Sequence, residues 1–385
     1  MSRGSDPTPR MADLGVKPAT ARRRARWAAA ATVAAALAAV LLRARTSQDA
    51  APAAALDISR DPLPSRSPSF VQRLDVSVFQ RGNLHAHSAR SDGDSPAQLV
   101  FAWYRDNGYQ FLALTDHNNY LDVTRPPASQ VQDLLVIPGE EVTMAAAGQP
   151  VHVNALCTKR RIGGGTFRTA RAALAWATSE ILSQGGVALV NHPNFHWALE
   201  AEDIAYAEGA QLLEIFSGHP HVRSDGDATH ASAEEKWEQA LSSGQPIAAV
   251  AVDDMHSLTG ANKHVPQVAP GTGWVEVFAE EASQEAICAA LSAGRLYASS
   301  GPRLTRLAVT SDTMTLWVDP PDVMVEFIDR WGALLEATPA TAEAEMSGAA
   351  HRASYRLRGP EQYVRARVTA PDGSRAWTQA YWVAR

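Results

Sequence analysis

The stretch Gly82-Asn83-Leu84-His85-Ala86-His87-Ser88-Ala89-Arg90-Ser91-Asp92-Gly93 ends a short apolar approach in two histidines and a carboxylate. Read as extended chain, it projects His85 and His87 from one face, because strand side chains alternate with period two. Ser91-Asp92-Gly93 has turn chemistry, so the chain can fold back and return the Asp92 carboxylate toward the two imidazoles. Imidazole and carboxylate together suit manganese, zinc or iron, and the lack of a cysteine cluster argues against a structural zinc site. A lone His-x-His is also an ordinary surface-strand pattern, so the rest of the chain decides.

Downstream, strand and helix signals alternate. Ser95-Pro96 opens a helix, with the proline at its first position; Leu99, Val100, Trp103 and Tyr104 follow at helical spacing, and Gly108 stops it. Strands are predicted at 111–117, 134–141, 151–156, 187–190, 212–216, 247–252 and 274–278, with helices near 169–183, 233–241 and 284–293. This α/β alternation implies a parallel sheet, and the number of units favours a closed or nearly closed barrel, an open doubly wound sheet being the alternative. Beyond Gly301-Pro302 the segments 304–309, 314–318, 323–328, 353–357, 363–369 and 378–383 are short, alternating and separated by Pro, Gly and Asp. Residues 302–385 therefore read as a small C-terminal β-sandwich. Trp317, Trp377 and Trp382 read as its core residues, a sugar-binding face being the other reading.

The chain has 385 residues, enough for two folded units. Its net charge of -6 and pI near 6.1 supply no general basic field, so no nucleic-acid partner is expected beyond a possible nucleotide substrate. Residues 1–26 are basic, with Arg22, Arg23, Arg24 and Arg26 set before the apolar run 27–42. That is a targeting pattern, either signal peptide or uncleaved signal anchor. The arginine bias leaves 1–26 in the cytoplasm and sends the remainder across the membrane, which the protein touches through this segment only. Residues 43–75, rich in Ala, Pro, Ser and Asp, read as a linker, which places the α/β domain at 76–301. Cys157 and Cys288 cannot build a disulfide framework; they read as small buried hydrophobes, with one bridge as the alternative in an oxidising compartment.

The potential ligands fall at the C-terminal ends of successive predicted strands: His85 and His87, His117, Glu141, His192, then Asp254 and His256. In a βα barrel that edge carries the loops that build active sites. His152 lies within an alternating strand and is marked least by physics alone. With Asp92 these residues exceed the roughly four ligands of one ion, so two or three ions are expected, with a carboxylate such as Glu141 placed to bridge. Arg90, Lys159, Arg160, Arg161 and Lys263 lie in neighbouring loops; Arg90 and Lys263 are the substrate-binding candidates, although solvated loop charge is an ordinary reading of each. His196, His219, His221 and His264 follow strand ends and are candidate supporting or proton-transfer groups. Asp116 and Asp253 precede ligands by one residue, point away, and should support by hydrogen bonding.

Asn-Leu-His-Ala-His-Ser with Ser-Asp-Gly, Leu-Thr-Asp-His-Asn, Ile-Pro-Gly-Glu-Glu-Val, Asn-His-Pro and Asp-Asp-Met-His resemble, in order over residues 80–300, the motifs of the polymerase and histidinol phosphatase (PHP) family. The resemblance implies a distorted (β/α)7 barrel holding two or three divalent ions of manganese, zinc or iron. It implies that His85, His87, Glu141 and Asp254 hold one ion, Glu141, His152 and His192 a second, and Asp92, His117 and His256 a third. The family spacing Pro-Gly-x-Glu selects Glu141 over Glu140, and Asp92 in place of the histidine of other members is similar to the small-phosphoesterase branch. The export segment, the Gly273-Trp274 strand and the β-rich tail also resemble a secreted branch that includes carbamate-ester hydrolases.

The resulting expectation is an extracytoplasmic metal-dependent hydrolase, secreted or anchored, in which Glu141, Asp254 and His256 share catalytic roles through metal-activated water. A small-molecule phosphoester is the first substrate, a carboxyl or carbamate ester the alternative. From another class, a non-catalytic, metal-stabilised binding module remains open.

Overall fold

Gly82 lies where the Phe111 ring crosses the backbone, and a Cβ there would overlap that ring. This close approach allows β1 (Gln80–Asn83) to pair in parallel with β2 (Phe111–Ala113), which pairs in parallel with β3 (Leu135–Ile137). The computed structural model describes residues 68–258, 267–342 and 351–384. The expected N-terminal features at 1–26 and 27–42, and Lys263 and His264, lie outside the described residues.

After β3 the direction of pairing changes. Strands β4 (Gly139–Ala146) and β5 (Gln149–Leu156) form an antiparallel hairpin around Ala147-Gly148, both at positive φ (51° and 83°), the backbone that a tight two-residue hairpin turn requires. β5 lies antiparallel to β6 (Val187–Val190), which is followed in parallel by β7 (Leu212–Ser217) and β8 (Ala248–Val252). β9 (Trp274–Val277) runs antiparallel to β1 and to β10 (Leu296–Ser299). The sheet is therefore mixed, not all-parallel.

Hydrogen bonding among the described strands gives an 11-stranded sheet containing β1–β3 with β9 and β10, and a six-stranded sheet containing β4–β8; it does not close a ring. The two sheets nevertheless share one interior, where Leu84, Phe111 and Ile137 meet Leu156, Leu189, Leu212 and Val250. Isolated parallel bridges Ala86–Met255 and His117–Glu141 stitch the sheets together just past the C-terminal ends of β1, β2 and β8; Glu141 itself stands near the start of β4, not at the end of the strand expected at 134–141.

Helices α1 (Ala97–Asp106), α2 (Ala170–Ser183), α3 (Ala201–Ala205), α4 (Ala233–Ser242) and α5 (Gln284–Ser292) fill the connections. Pro96 caps α1 from extended backbone (ψ 147°) rather than standing at its first helical position. Thr169 and Ser283 accept the N-cap hydrogen bonds of α2 and α5, and Ser232 with Glu235 forms a capping box on α4. Cys157 and Cys288 form a disulfide with Cα atoms 6.1 Å apart, tying the loop after β5 to α5; of the two readings, the bridge is the one the fold adopts.

The C-terminal strands form two antiparallel layers around a common core. One is a five-stranded sheet that includes Arg303–Val309, Thr313–Asp319 and His351–Arg356; the other contains Met324–Asp329, Tyr363–Thr369 and Tyr381–Ala384 and continues into β10 through Arg375–Trp377. The end of the stretch read as linker joins them: Ser69–Phe70 pairs with Tyr381–Ala384, and Leu74–Val76 with Arg303–Val309. Trp377 and Trp382 pack under the six-stranded sheet, while Trp317 lies on the other layer beneath the Arg306 guanidinium, so they share no single face. Arg365 pins the C-terminal layer to α4: its guanidinium donates to Glu234 at 2.7 Å and to Glu238, and lies over the Trp237 ring.

Candidate metal centre

The C-terminal ends of β1 and β8 bring His85 and His87 against Asp254, and β4 places Glu141 between them. The Nε2 atoms of His85 and His87 are 3.1 Å apart, and each stands 3.3 Å from Glu141 Oε2 and 3.3 Å from Asp254 Oδ1. Atoms bound at 2.0–2.1 Å to a tetrahedral ion are about 3.3 Å from one another, so this spacing is that of a ligand shell. Glu141 Oε2 is buried without a hydrogen-bond partner, which supplies the orphaned acceptor a cation would satisfy.

The other carboxylate oxygen of Glu141 faces a second pair. His152 Nδ1 is 2.8 Å from Oε1 without hydrogen-bond geometry, and His192 Nε2 is 3.3 Å from it. His192 also groups within 4.8 Å with His85 and Asp254. The third set is more open: Asp92 Oδ2 is 3.3 Å from His117 Nε2 and 3.4 Å from His256 Nε2, and the Asp92 side chain is 48% exposed. Gly93 makes that return possible, because a Cβ there would meet the Ser88 backbone, whose carbonyl its N–H reaches at 3.0 Å. All nine sequence candidates, Asp92 and His152 included, thus converge on one cluster, and the donor set fits divalent transition ions.

The electrostatics are those of cations held among carboxylates. Burial raises the Asp92 pKa, but hydrogen bonds from His117 and His256 outweigh it and hold the carboxyl well below its usual range. Burial disfavours charge on His117, yet Glu141 and Asp92 raise its pKa to about 10. His85 is likewise held up, against burial, by Asp254, Glu214 and Glu141. Backbone strain gathers at the same edge, where Asp254 (φ 51°), Asn118 (φ 49°), His196 (φ 53°) and Trp197 (φ 55°) are left-handed.

Supporting groups fix the imidazoles. Glu214 Oε1 lies 2.6 Å from His85 Nδ1 and its Oε2 accepts the His192 N–H at 2.8 Å; Thr143 Oγ1 is 2.6 Å from His117 Nδ1; the Asp254 carbonyl is 2.8 Å from His256 Nδ1. Each partner leaves Nε2 for the cluster. Asn191 donates to Glu141 Oε1 and to Asn154. The sequence reading missed Glu214, Thr143 and Asn191. Only Glu214 carried a signal, a lone carboxylate inside the apolar run Leu212-Leu213-Glu214-Ile215-Phe216.

Asp116 and Asp253 turn away, as their position implied: Asp116 accepts from Ser88 and Ser91, and Asp253 from Tyr104, Thr272 and Gly273. Glu140 accepts the Ile162 and Gly163 N–H groups and so anchors the loop after β5. Arg90 is exposed but engaged, donating to Asn119 Oδ1 and the Tyr120 carbonyl, and Arg161 donates to the Asn118 carbonyl beside His117. Lys159 and Arg160 are exposed. Of the other histidines, His196 and His221 are exposed, whereas His219 is buried beside His256 with its pKa lowered to about 4 by burial.

No known family profile matches the chain, and no curated protein does. Among solved structures it is similar to a two-domain protein of Bacteroides vulgatus with a predicted PHP-like metal-dependent phosphoesterase, at 17% identity and TM-score 0.41, over 83% of this chain and 99% of that one. A protein of Bifidobacterium adolescentis assigned as a metal-dependent phosphoesterase matches at 13% identity and TM-score 0.36, over 50% and 92% of the two chains. An amidohydrolase of Chromobacterium violaceum, with bound sulfate and no metal, matches at 17% identity and TM-score 0.35, over 49% and 92%.

Proposed function

We propose that this chain is a metal-dependent hydrolase of the PHP family that cleaves small-molecule phosphoesters, nucleotides among the candidates, outside the cytoplasm. The observation that carries the reading is the meeting of His85, His87, Glu141 and Asp254 at 3.1–3.3 Å, with Glu141 turning its second oxygen to His152 and His192. In this reading the two facing sheets are the halves of a distorted (β/α)7 barrel, and the C-terminal layers are a β-sandwich.

Two or three ions of manganese, zinc or iron held there would acidify water and neutralise charge developing on the ester. The chain's own residues set up that chemistry. Glu214, Thr143 and the Asp254 carbonyl hold protons at the Nδ1 atoms of His85, His117 and His256, so the Nε2 lone pairs are presented together. His85, His87, Glu141 and Asp254 are buried and keep bulk water from the inner set, whereas Asp92 is exposed and His117 half-buried, so the ester enters on their side. A phosphate offers several charged oxygens to three ligand sets, a neutral carbonyl one, which favours a phosphoester over a carboxyl or carbamate ester.

Elemental analysis of full-length protein expressed with manganese, with turnover of 4-nitrophenyl phosphate, bis-4-nitrophenyl phosphate, 4-nitrophenyl acetate and 1-naphthyl N-methylcarbamate, tests the reading. Two or more ions per chain and preference for the phosphates are expected. One ion or fewer overturns the centre, preference for acetate or carbamate moves the substrate class, and no turnover by the loaded protein leaves a binding module. Export is supported by the arginine cluster before the apolar run and by the Cys157–Cys288 bridge, which belongs in an oxidising compartment. A phosphatase reporter fused after residue 60 should be active only outside the cytoplasm.

A further inference from the structure

We infer that His219 is a catalytic hydrogen-bond donor to the leaving-group oxygen of the ester, an assignment that rests on the hydrolase reading above. His219 stands on the loop after β7, with its ring edge-on to the ligand His256 at 5.4 Å between centroids. It coordinates nothing in the three ligand sets.

Its tautomer is fixed from behind. The backbone N–H of His221 donates to His219 Nδ1 at 3.2 Å, so Nδ1 is an acceptor and the ring proton sits on Nε2. Among the described residues Nε2 has no hydrogen-bond partner. The loop that carries the ring is held in place: the His219 N–H donates to Ser217 Oγ, and Asn194, fully buried, donates to the carbonyls of Arg223 and Ala231 on the same loop. A donor fixed in this way stabilises charge without reorganising when that charge appears.

The neighbouring ring tells which oxygen it serves. Phe195 is half-buried, with its ring 5.3 Å from that of His192, 6.1 Å from that of His152 and 6.2 Å from that of His219. The anionic phosphoryl oxygens are drawn to cations among the carboxylates. A neutral N–H beside an apolar ring suits instead the bridging oxygen and its organic substituent. Hydrolysis forms a P–O bond from water and breaks the P–O bond to the leaving group; the electron pair departs on the leaving oxygen, the ring proton remains on Nε2, and solvent reprotonates the product.

Full-length, manganese-loaded wild type, His219→Ala and His219→Asn are compared on phenyl phosphate and 4-nitrophenyl phosphate, with metal content measured for each. A poor leaving group needs the donor more. His219→Ala should lose roughly 10²-fold in kcat/KM on phenyl phosphate and about tenfold less on 4-nitrophenyl phosphate, at unchanged metal content. His219→Asn, which keeps a neutral N–H, should recover part of the phenyl phosphate rate. Equal loss on both substrates, or loss of metal, shows a structural role and overturns the assignment. Wild type that cleaves aryl acetates but not aryl phosphates refutes the phosphoester reading alone, and His219 is then judged by the same comparison on phenyl and 4-nitrophenyl acetate. A wild type inert toward both series overturns both.

Discussion

Glu214 Oε1 lies 2.6 Å from Nδ1 of His85 although the two residues are 129 positions apart, and the other Glu214 oxygen accepts the backbone N–H of His192. One carboxylate therefore aims two ligands from two different strands. Glu214→Gln can keep one of these contacts but loses the charge that supports the imidazole. Metal affinity should fall about 10- to 100-fold, measured by competition with a chelating dye, while the fold is retained. Wild-type affinity in this variant would remove Glu214 from the centre.

The adjacent glutamates should separate cleanly. Glu141 reaches five histidines, whereas Glu140 holds the Ile162 and Gly163 amides. Glu141→Gln should abolish both metal retention and turnover. Glu140→Gln should keep the ions and show its effect as faster proteolysis near residues 157–165. The reverse ranking would mean that the bridging carboxylate is misassigned.

Metal loading should release protons. Burial works against charge on His117, but Glu141 and Asp92 raise its pKa to about 10, and it must be neutral to ligate. Apparent affinity should therefore climb from neutral pH toward 10. The stability sign follows. A histidine with a raised folded pKa stabilises the ion-free protein fully below its ordinary value of 6.5, and that contribution is lost as pH rises through about 10. Thermal melts of chelated protein should weaken across that window, while loaded protein does not follow. Loading at pH 7 without proton release into weak buffer would contradict this.

Arg365→Met should destabilise by about 3–5 kcal/mol in urea titration, because Glu238 would remain buried without its guanidinium and Glu234 would keep only that of Arg367. Burial works against charge on Glu234, yet Arg365 and Arg367 hold its pKa down to about 2, so it stays ionised at neutral pH. Metal content of the folded fraction should be unchanged. A loss below about 1 kcal/mol would show that α4 is held by packing alone.

Most of the clustered imidazoles and carboxylates were legible as polar residues at the ends of apolar runs; His152, inside an alternating strand, was marked only by the family resemblance. Strand direction was not legible at β4 and β5: both are buried along most of their length, and such a strand reads alike whichever way it runs. Ser69–Phe70 and Leu74–Val76 are too short to show alternation, so they passed for linker. Glu214 stood out only as a charge in a buried strand; its reason, His85, is supplied by the fold. The pairing of Cys157 with Cys288 across 131 residues likewise needed the fold to choose between the two readings.

Among the described residues, Ala86–Met255 and His117–Glu141 bridge the two sheets at the site, and two of the three ligand sets straddle the same line. His85 and His87 leave one sheet and Glu141 and Asp254 the other; Asp92 and His117 face His256 across it. An ion in either of these two sets would be a rivet through a seam. Chelation would then loosen the molecule along one line, exposing the amides of His87 and Asn118 to exchange first, while the packed interior beneath keeps the halves in register.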